Sequence, residues 1–139
     1  MDTKASNNMG RVATMKRETK IAILLGAFYL SLGIMLGAFA AHSLKDSLNV
    51  YQLGILQTGV KYQLIHGLGL IALGILYSLF PRKVLFWAVN CIALGVLFFS
   101  FSLYAIALLG FTFVGVITPI GGALMILGWI FTMYAVVKE

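Results

Sequence analysis

The chain has 139 residues, of which 61% are hydrophobic and 10% charged, and its mean hydropathy is +1.01. A soluble domain carries about 25% charged residues, so this composition excludes a water-facing surface and indicates an integral membrane protein. The net charge of +6 does not indicate nucleic-acid binding, because eight of the ten Lys and Arg residues lie before residue 21, at Arg82-Lys83 or at Lys138. The single cysteine, Cys91, excludes an intramolecular disulfide and any multi-cysteine metal motif.

The first hydrophobic run covers residues 21–41 and follows a polar segment, residues 1–20, that we expect to form a cytoplasmic tail. About 20 apolar residues are enough to cross the hydrocarbon core, so this run predicts a first transmembrane span. Small residues that recur on one face of the span are Gly26, Gly33, Gly37 and Ala41. Such a small-xxx-small stripe lets two helix backbones approach closely in a membrane, and we predict that this face packs against another helix.

The end of the same run also has one feature of a secretory signal peptide. Ala38-Phe39-Ala40 has the small-x-small form of a cleavage site. However, the leader is long, and the apolar run exceeds the about 7–15 residues of a signal peptide. We therefore expect the segment to remain as a membrane span.

Residues Ser43–Thr58 have an amphipathic pattern. The apolar residues at helical spacing are Leu44, Leu48, Tyr51 and Ile55, and polar residues occupy the other side. This pattern predicts a short helix in the membrane interface, with Ser43 as its N-terminal cap. An irregular loop is the alternative.

Three further spans are predicted over residues 59–80, 84–109 and 118–137. Pro81 ends the second span, because proline cannot continue a helix. Residues 110–117 form an uncharged loop, after which Thr118 and Pro119 predict the N-cap and first residue of the last helix. Glycines expected at helix contacts in these spans are Gly74, Gly95, Gly121 and Gly128.

The basic residues predict the orientation of the spans. Eight Lys and Arg residues lie on the side of the termini and the Pro81–Lys83 turn, and only Lys45 and Lys61 lie on the other side. Cytoplasmic loops are enriched in Lys and Arg, so we predict a multi-pass inner (plasma) membrane protein with both termini in the cytoplasm. The predicted fold is an all-α bundle of four transmembrane helices, with a short interfacial helix between spans one and two.

Four motifs occur in order along the chain: Gly37-Ala-Phe-Ala-Ala-His42, Tyr62-Gln-Leu-Ile-His66, Phe99-Ser-Phe-Ser-Leu-Tyr104 and Thr118-Pro-Ile-Gly-Gly122. Together they resemble the YgdD-like family of small bacterial membrane proteins of unknown function, which has a small animal transmembrane counterpart. The resemblance extends over residues 21–137 and implies a four-helix inner-membrane protein, without implying an activity. The third motif departs from the Ser-Gly-Ser expected in many relatives, because Phe101 takes the place of a glycine and would fill a close contact.

Polar residues of all four spans are predicted to meet in the outer half of the membrane, with His66 about two turns below the outer end of span two. An unpaired polar group in lipid is costly, so His66 should face inward and bond Ser100, Ser102 or Tyr104. A structural hub, a lipid- or ligand-binding residue, and a catalytic or metal-binding residue are the three interpretations of His66. The full set of candidate binding residues is His42, Lys61, Tyr62, Gln63, His66, Ser100, Ser102, Tyr104 and Thr118.

No motif in the sequence predicts a catalytic residue, a metal site or a cofactor. The chain has two histidines, whereas zinc sites generally need three or four ligands, and His42 is too near the surface to share a haem with His66. Lys61 is expected to contact lipid phosphate, with an ion pair to Asp46 as the alternative. The first functional hypothesis is therefore a non-enzymatic accessory or lipid-binding scaffold protein, whose partners are membrane lipids, further copies of the chain or a larger membrane complex. A small oligomeric channel or transporter with a path near His66 is the alternative, and a membrane enzyme comes third.

Overall fold

The structure is a computed structural model that describes residues 14–138. Its four long helices are α1 (Arg17–His42), α2 (Val50–Leu79), α3 (Lys83–Leu109) and α4 (Ile117–Val137). A 3-10 helix, Thr112–Val116, occupies most of the predicted last loop and leads directly into α4. Within residues 14–138, four helices are long and apolar enough to cross a membrane, which confirms the predicted all-α fold with four spans. Most of the predicted tail lies outside the described residues, and α1 begins inside the remainder of that tail.

The helices pack in chain order, and α2 and α3 form the middle of the bundle. Close backbone contacts join α1 with α2, α2 with α3, and α3 with α4. The first helix also approaches α3, but among residues 14–138 no close backbone contact joins α1 with α4. The two outer helices therefore flank a central pair, and much of their surface faces outward.

Glycine supplies the contact between α1 and α2. A Cβ atom added at Gly26 would lie 2.6 Å from the carbonyl oxygen of Gly67, and one added at Gly67 would lie 3.1 Å from the carbonyl oxygen of Gly26. The obstruction is backbone on both sides, so no side-chain rotation can relieve it. Without a hydrophobic driving force between helices in lipid, close approach of backbones stabilises the pair through van der Waals packing.

A close contact between glycine backbones also joins α3 and α4. A Cβ atom added at Gly95 would lie 2.8 Å from the carbonyl oxygen of Gly121, and one added at Gly121 would lie 2.7 Å from that of Gly95. Further along, a Cβ atom on Gly128 would lie 3.0 Å from the Ala88 carbonyl oxygen. Each helical hairpin, α1–α2 and α3–α4, therefore has its own glycine-to-glycine contact.

The buried face of α1 follows seven-residue steps rather than the four-residue stripe expected from the sequence. Its buried residues are Thr19, Ala22, Gly26, Tyr29, Gly33 and Ala40. Residues seven apart stay on the seam between helices that cross at a small left-handed angle, whereas a four-residue stripe drifts off it. Gly37 is accordingly half-buried, and Ala41 is exposed while its neighbour Ala40 is buried.

The separate interfacial helix predicted over Ser43–Thr58 is wrong. Residues 43–48 form turns, and α2 begins at Val50. Asn49, not Ser43, caps the helix: its side chain accepts from the backbone N–H of Gln52 at 2.8 Å, and the Gln52 side chain accepts from the backbone N–H of Asn49 at 3.1 Å. This reciprocal capping box satisfies two otherwise unpaired donors, and it starts a helix that continues unbroken through the predicted second span.

One end of the bundle carries most of the charge and is called the basic end below. It consists of the start of α1, the turn between α2 and α3, and the end of α4, and its described basic residues are Lys16, Arg17, Lys20, Arg82, Lys83 and Lys138. Arg82 has a structural role there, because its Nη1 donates to the Ala135 carbonyl oxygen at 2.6 Å. The last carbonyls of a helix have no partner within the helix, so Arg82 closes the end of α4.

Candidate functional site

Gln63 is the centre of the polar interior. Its side chain is fully buried, and its Nε2 donates to the backbone oxygen of Tyr29 at 2.8 Å. Its Oε1 accepts a hydrogen bond from the Tyr104 hydroxyl at 2.7 Å. One amide thus joins α1, α2 and α3, with donor and acceptor both satisfied. Buried polar groups are stable only when they are paired in this way.

Gly59 makes this arrangement possible. A Cβ atom at Gly59 would lie 2.6 Å from Cε1 of Tyr104, so only glycine leaves room for the ring one turn before Gln63. The Gly59 carbonyl oxygen also accepts a hydrogen bond from the Ser100 hydroxyl at 2.8 Å. The contact between α2 and α3 at this level therefore consists of a glycine, an aromatic ring and two hydrogen bonds that lie side by side.

A second polar contact joins α3 to the start of α4. The Ser102 and Thr118 hydroxyls lie 2.6 Å apart, and Ser102 also donates to the Phe99 carbonyl oxygen. The prediction that Thr118 caps α4 is wrong, because the helix begins at Ile117, two residues before the predicted first residue, Pro119, and makes no side-chain cap bond. The Thr118 hydroxyl bonds across to Ser102 instead. Phe101, near this contact, is half-buried and its ring lies 5.6 Å from that of Tyr104.

His66 does not bond Ser100, Ser102 or Tyr104, and this prediction is wrong. Its Nδ1 lies 2.8 Å from the Tyr62 carbonyl oxygen in its own helix. A carbonyl can only accept, so Nδ1 carries the proton and Nε2 keeps a free lone pair. The reason is rotation along α2, which places Gln63 toward α1 and α3 and His66 three residues later toward α4.

Aromatic rings surround the imidazole on this α2–α4 side. The His66 ring stacks nearly parallel to that of Tyr62, with 6.1 Å between centroids, and lies 6.0 Å from that of Trp129. Tyr62 is 40% exposed and Trp129 36% exposed, whereas His66 is 7% exposed. Gly69 allows Trp129 to approach, since a Cβ atom there would lie 3.0 Å from the indole ring. We call this the His66 face and define it by Tyr62, His66, Gly69 and Trp129.

The His66 face lies nearer the middle of its helix than the sequence predicted. Because α2 starts at Val50 rather than near residue 59, His66 is roughly 24 Å from that end of the helix and roughly 20 Å from Leu79, at 1.5 Å per residue. It is therefore near the middle of the helix. The remaining candidates, His42 and Lys61, are both exposed and lie toward the end of the bundle opposite the basic end. Among the described residues, no ion pair joins Lys61 to Asp46.

The sequence did not predict the role of Tyr29, which forms hydrogen bonds to both α2 and α3. Its backbone oxygen accepts from Gln63, and its hydroxyl donates to the Ala93 carbonyl oxygen at 2.8 Å. The available signal was a lone tyrosine one turn after Gly26 on the small-residue face. Residues 14–138 contain no group of three or more His, Cys, Asp or Glu side chains placed to hold a metal ion.

Comparison with known proteins identifies a family for this chain. Residues 36–122, which include Gln63, His66, Ser100 and Tyr104, match the family described as "Protein of unknown function (DUF423)". A UPF0382 membrane protein of Staphylococcus epidermidis is 40% identical over 119 residues, which is 86% of this chain and 97% of that protein. The chain belongs to the DUF423 family.

Other DUF423 relatives are described in the same terms. The UPF0382 membrane protein SAB0533 of Staphylococcus aureus is 38% identical over 86% of this chain and 97% of its own length. The UPF0382 inner membrane protein YgdD of Escherichia coli K12 is 30% identical over 76% of this chain and 80% of its own length. The resemblance to the YgdD-like family is thereby confirmed, and the chain is a membrane protein of a family without an assigned function. No solved structure matches this DUF423 chain.

Proposed function

We propose that the chain is a non-enzymatic, lipid-binding scaffold of the inner membrane that pairs with a second copy of itself through the His66 face. One observation carries the pairing. This face presents a free acceptor, Nε2 of His66, beside a free donor, the Tyr62 hydroxyl, neither of which has a hydrogen-bond partner among residues 14–138. Nearly every other polar side chain of the interior is paired within the chain, which supports a structural role for that interior.

The depth of His66 favours a protein partner over lipid at this position. Acyl chains supply no hydrogen-bond donor, and an unpaired polar group in hydrocarbon is costly. His66 is only 7% exposed, but its Nε2 atom keeps some exposed surface, because the one fully buried side-chain polar atom without a partner among the described residues is Oγ1 of Thr19. A neighbouring transmembrane helix can supply the missing donor.

A second copy fits because the face is complementary to itself. In a two-fold dimer each contact occurs twice, so the Tyr62 hydroxyl of one copy donates to His66 of the other, and the reverse. A transport path past His66 is less well supported, because Gln63 and Tyr104 fill the adjacent interior.

Native mass spectrometry of the full chain in mild detergent tests the proposal, because it reports copy number and bound lipid together. We expect a dimer that retains lipid. Tyr62→Phe removes the donor twice per dimer and should raise the dissociation constant about tenfold, given about 0.6 kcal/mol or more for each interhelical bond in a membrane. Tyr51→Phe, an exposed tyrosine at the start of the same helix, is the matched control. A parent chain that is monomeric, or a Tyr62→Phe variant that dimerises as well as the Tyr51→Phe control, would refute the pairing.

A further inference from the structure

Two adjoining pockets lie at the basic end, where the start of α1 meets the end of α2 and the start of α3. The deeper pocket has a volume of about 130 Å³, and its walls are mainly apolar, with Ile21, Leu25 and Val89 among its lining residues. The outer pocket is more polar and is lined by Glu18, Tyr77, Pro81, Lys83 and Phe86. Glu18, Tyr77 and Phe86 line both pockets, so the two form one groove with a polar mouth and an apolar floor.

The mouth of the groove carries two opposite charges that do not neutralise each other. Glu18 and Lys83 both line it, yet no ion pair joins them within residues 14–138. The other basic side chain of this turn, Arg82, is occupied by the Ala135 carbonyl oxygen. Glu18 lies in the first turn of α1, where a carboxylate also stabilises the helix, but that role does not explain a lysine opposite it in the same groove.

The floor also offers polar groups at a suitable depth. Asn90 lines the deeper pocket two turns into α3, and one of its amide hydrogens is donated to the Phe86 carbonyl oxygen at 2.7 Å. Its side-chain oxygen and second N–H remain unpaired among the described residues. The Tyr77 hydroxyl, which lines both pockets, likewise has no partner within residues 14–138. These groups can bond the ester region of a lipid below its charged headgroup.

We infer that this groove binds a zwitterionic phospholipid with a primary-amine headgroup, of the phosphatidylethanolamine class. Glu18 takes the ammonium group, Lys83 takes the phosphate, and one acyl chain lies along Ile21, Leu25 and Val89. An anionic lipid suits the site less well, because Glu18 would repel it and, among residues 14–138, Lys83 is the only basic side chain that lines the groove. The inference rests on the proposed lipid-binding role and adds to it the lipid class and the place.

The test is a lipid titration of the detergent-purified full chain, with bound lipids counted by native mass spectrometry. Phosphatidylethanolamine should bind more tightly than phosphatidylglycerol, and more tightly than phosphatidylcholine, whose headgroup has no N–H to donate to Glu18. Glu18→Gln should weaken phosphatidylethanolamine binding about tenfold, as expected for loss of one charge-assisted hydrogen bond, and should not weaken phosphatidylglycerol binding. Lys20→Gln changes an exposed charge at the same helix end outside the groove, and it should bind as the parent does.

A second variant keeps both charges and blocks the floor. Ile21 is 41% exposed and lines the deeper pocket, so we expect the fold to tolerate Ile21→Trp and the larger side chain to obstruct the acyl chain. If the parent retains phosphatidylethanolamine and neither Glu18→Gln nor Ile21→Trp weakens its binding, the groove assignment fails while the scaffold proposal stands. A preference for phosphatidylglycerol that Lys20→Gln reduces would mean general attraction to basic residues and would also overturn the assignment. A parent chain that retains no lipid of any class would instead remove the lipid-binding role itself.

Discussion

The side-chain oxygen of Gln63 and the hydroxyl of Tyr104 lie 2.7 Å apart in a fully buried contact between α2 and α3. The amide nitrogen of the same glutamine reaches Tyr29 on α1. A single uncharged side chain therefore holds three helices in register. In hydrocarbon the alternative to such a bond is an unpaired polar group, so the contact specifies the arrangement as well as stabilising it.

Tyr104→Phe should lower the unfolding free energy in detergent by about 1 kcal/mol, because it leaves Oε1 of Gln63 without a donor. Gln63→Met removes both the bond to Tyr29 on α1 and the bond to Tyr104 on α3, and it should lower the unfolding free energy further. The double variant should cost less than the sum of the two, since the singles share one bond. Thermal unfolding of the four proteins measures this coupling. Tyr134→Phe, at an exposed tyrosine of α4, controls for hydroxyl loss, and strictly additive effects would contradict the bond.

Adjacent glycines of α4 should respond differently to one methyl group. Gly121→Ala places a Cβ atom 2.7 Å from the Gly95 carbonyl oxygen, and backbone must move to admit it. Overpacking of this kind costs about 1–3 kcal/mol. Gly122→Ala places its Cβ atom 3.8 Å from the Phe99 ring, an ordinary contact, and should leave the thermal midpoint close to that of the parent. Equal midpoints for the two variants would mean that α3 and α4 do not meet at this glycine.

Loss of the Arg82 side chain should loosen the end of α4. Arg82→Gln removes the bond to the Ala135 carbonyl oxygen and should cost about 1 kcal/mol, allowing for partial exposure of the arginine. Hydrogen exchange of the amides near the end of α4 should become faster. Lys83→Gln removes an equal charge from the neighbouring, exposed position and serves as the control. Equal exchange rates in both variants would mean that Arg82 does not stabilise the end of α4 and contributes only to the orientation of the chain in the membrane.

The distribution of basic residues predicts that the basic end faces the cytoplasm. In a Cys91→Ala background, a membrane-impermeant thiol reagent added to intact cells should label Ser47→Cys and should leave Lys16→Cys and Lys83→Cys unlabelled. The cysteine is placed at position 47 rather than at position 49, because Asn49 caps α2 and its replacement would remove the cap. Labelling of Ser47→Cys only after permeabilisation would reverse the orientation.

Composition and periodicity predicted the four spans because membrane helices must be long and apolar, and their bounds differ little except at the start of α2. The start of α2 could have been predicted, because Asn49 and Gln52 have the spacing of a capping box. The apolar pattern of residues 44–55 suggested a separate helix instead. The role of Gln63 was harder to predict. Gln63 and His66 share a broad face of α2, and spacing alone does not say which of three neighbouring helices each residue meets.

The glycine pairs have a consequence for synthesis. The Gly26–Gly67 contact lies within the first hairpin and the Gly95–Gly121 contact within the second. Among the described residues, three hydrogen bonds join the two hairpins: Tyr29 to Ala93, Ser100 to Gly59 and Tyr104 to Gln63. As the chain leaves the ribosome, the first hairpin can close inside the bilayer before α3 has emerged. The side-chain oxygen of Gln63 and the hydroxyl of Tyr29 then have no partner until the second hairpin arrives. We therefore expect two insertion steps, in which the cost of leaving those groups unpaired favours docking of the second hairpin on the first.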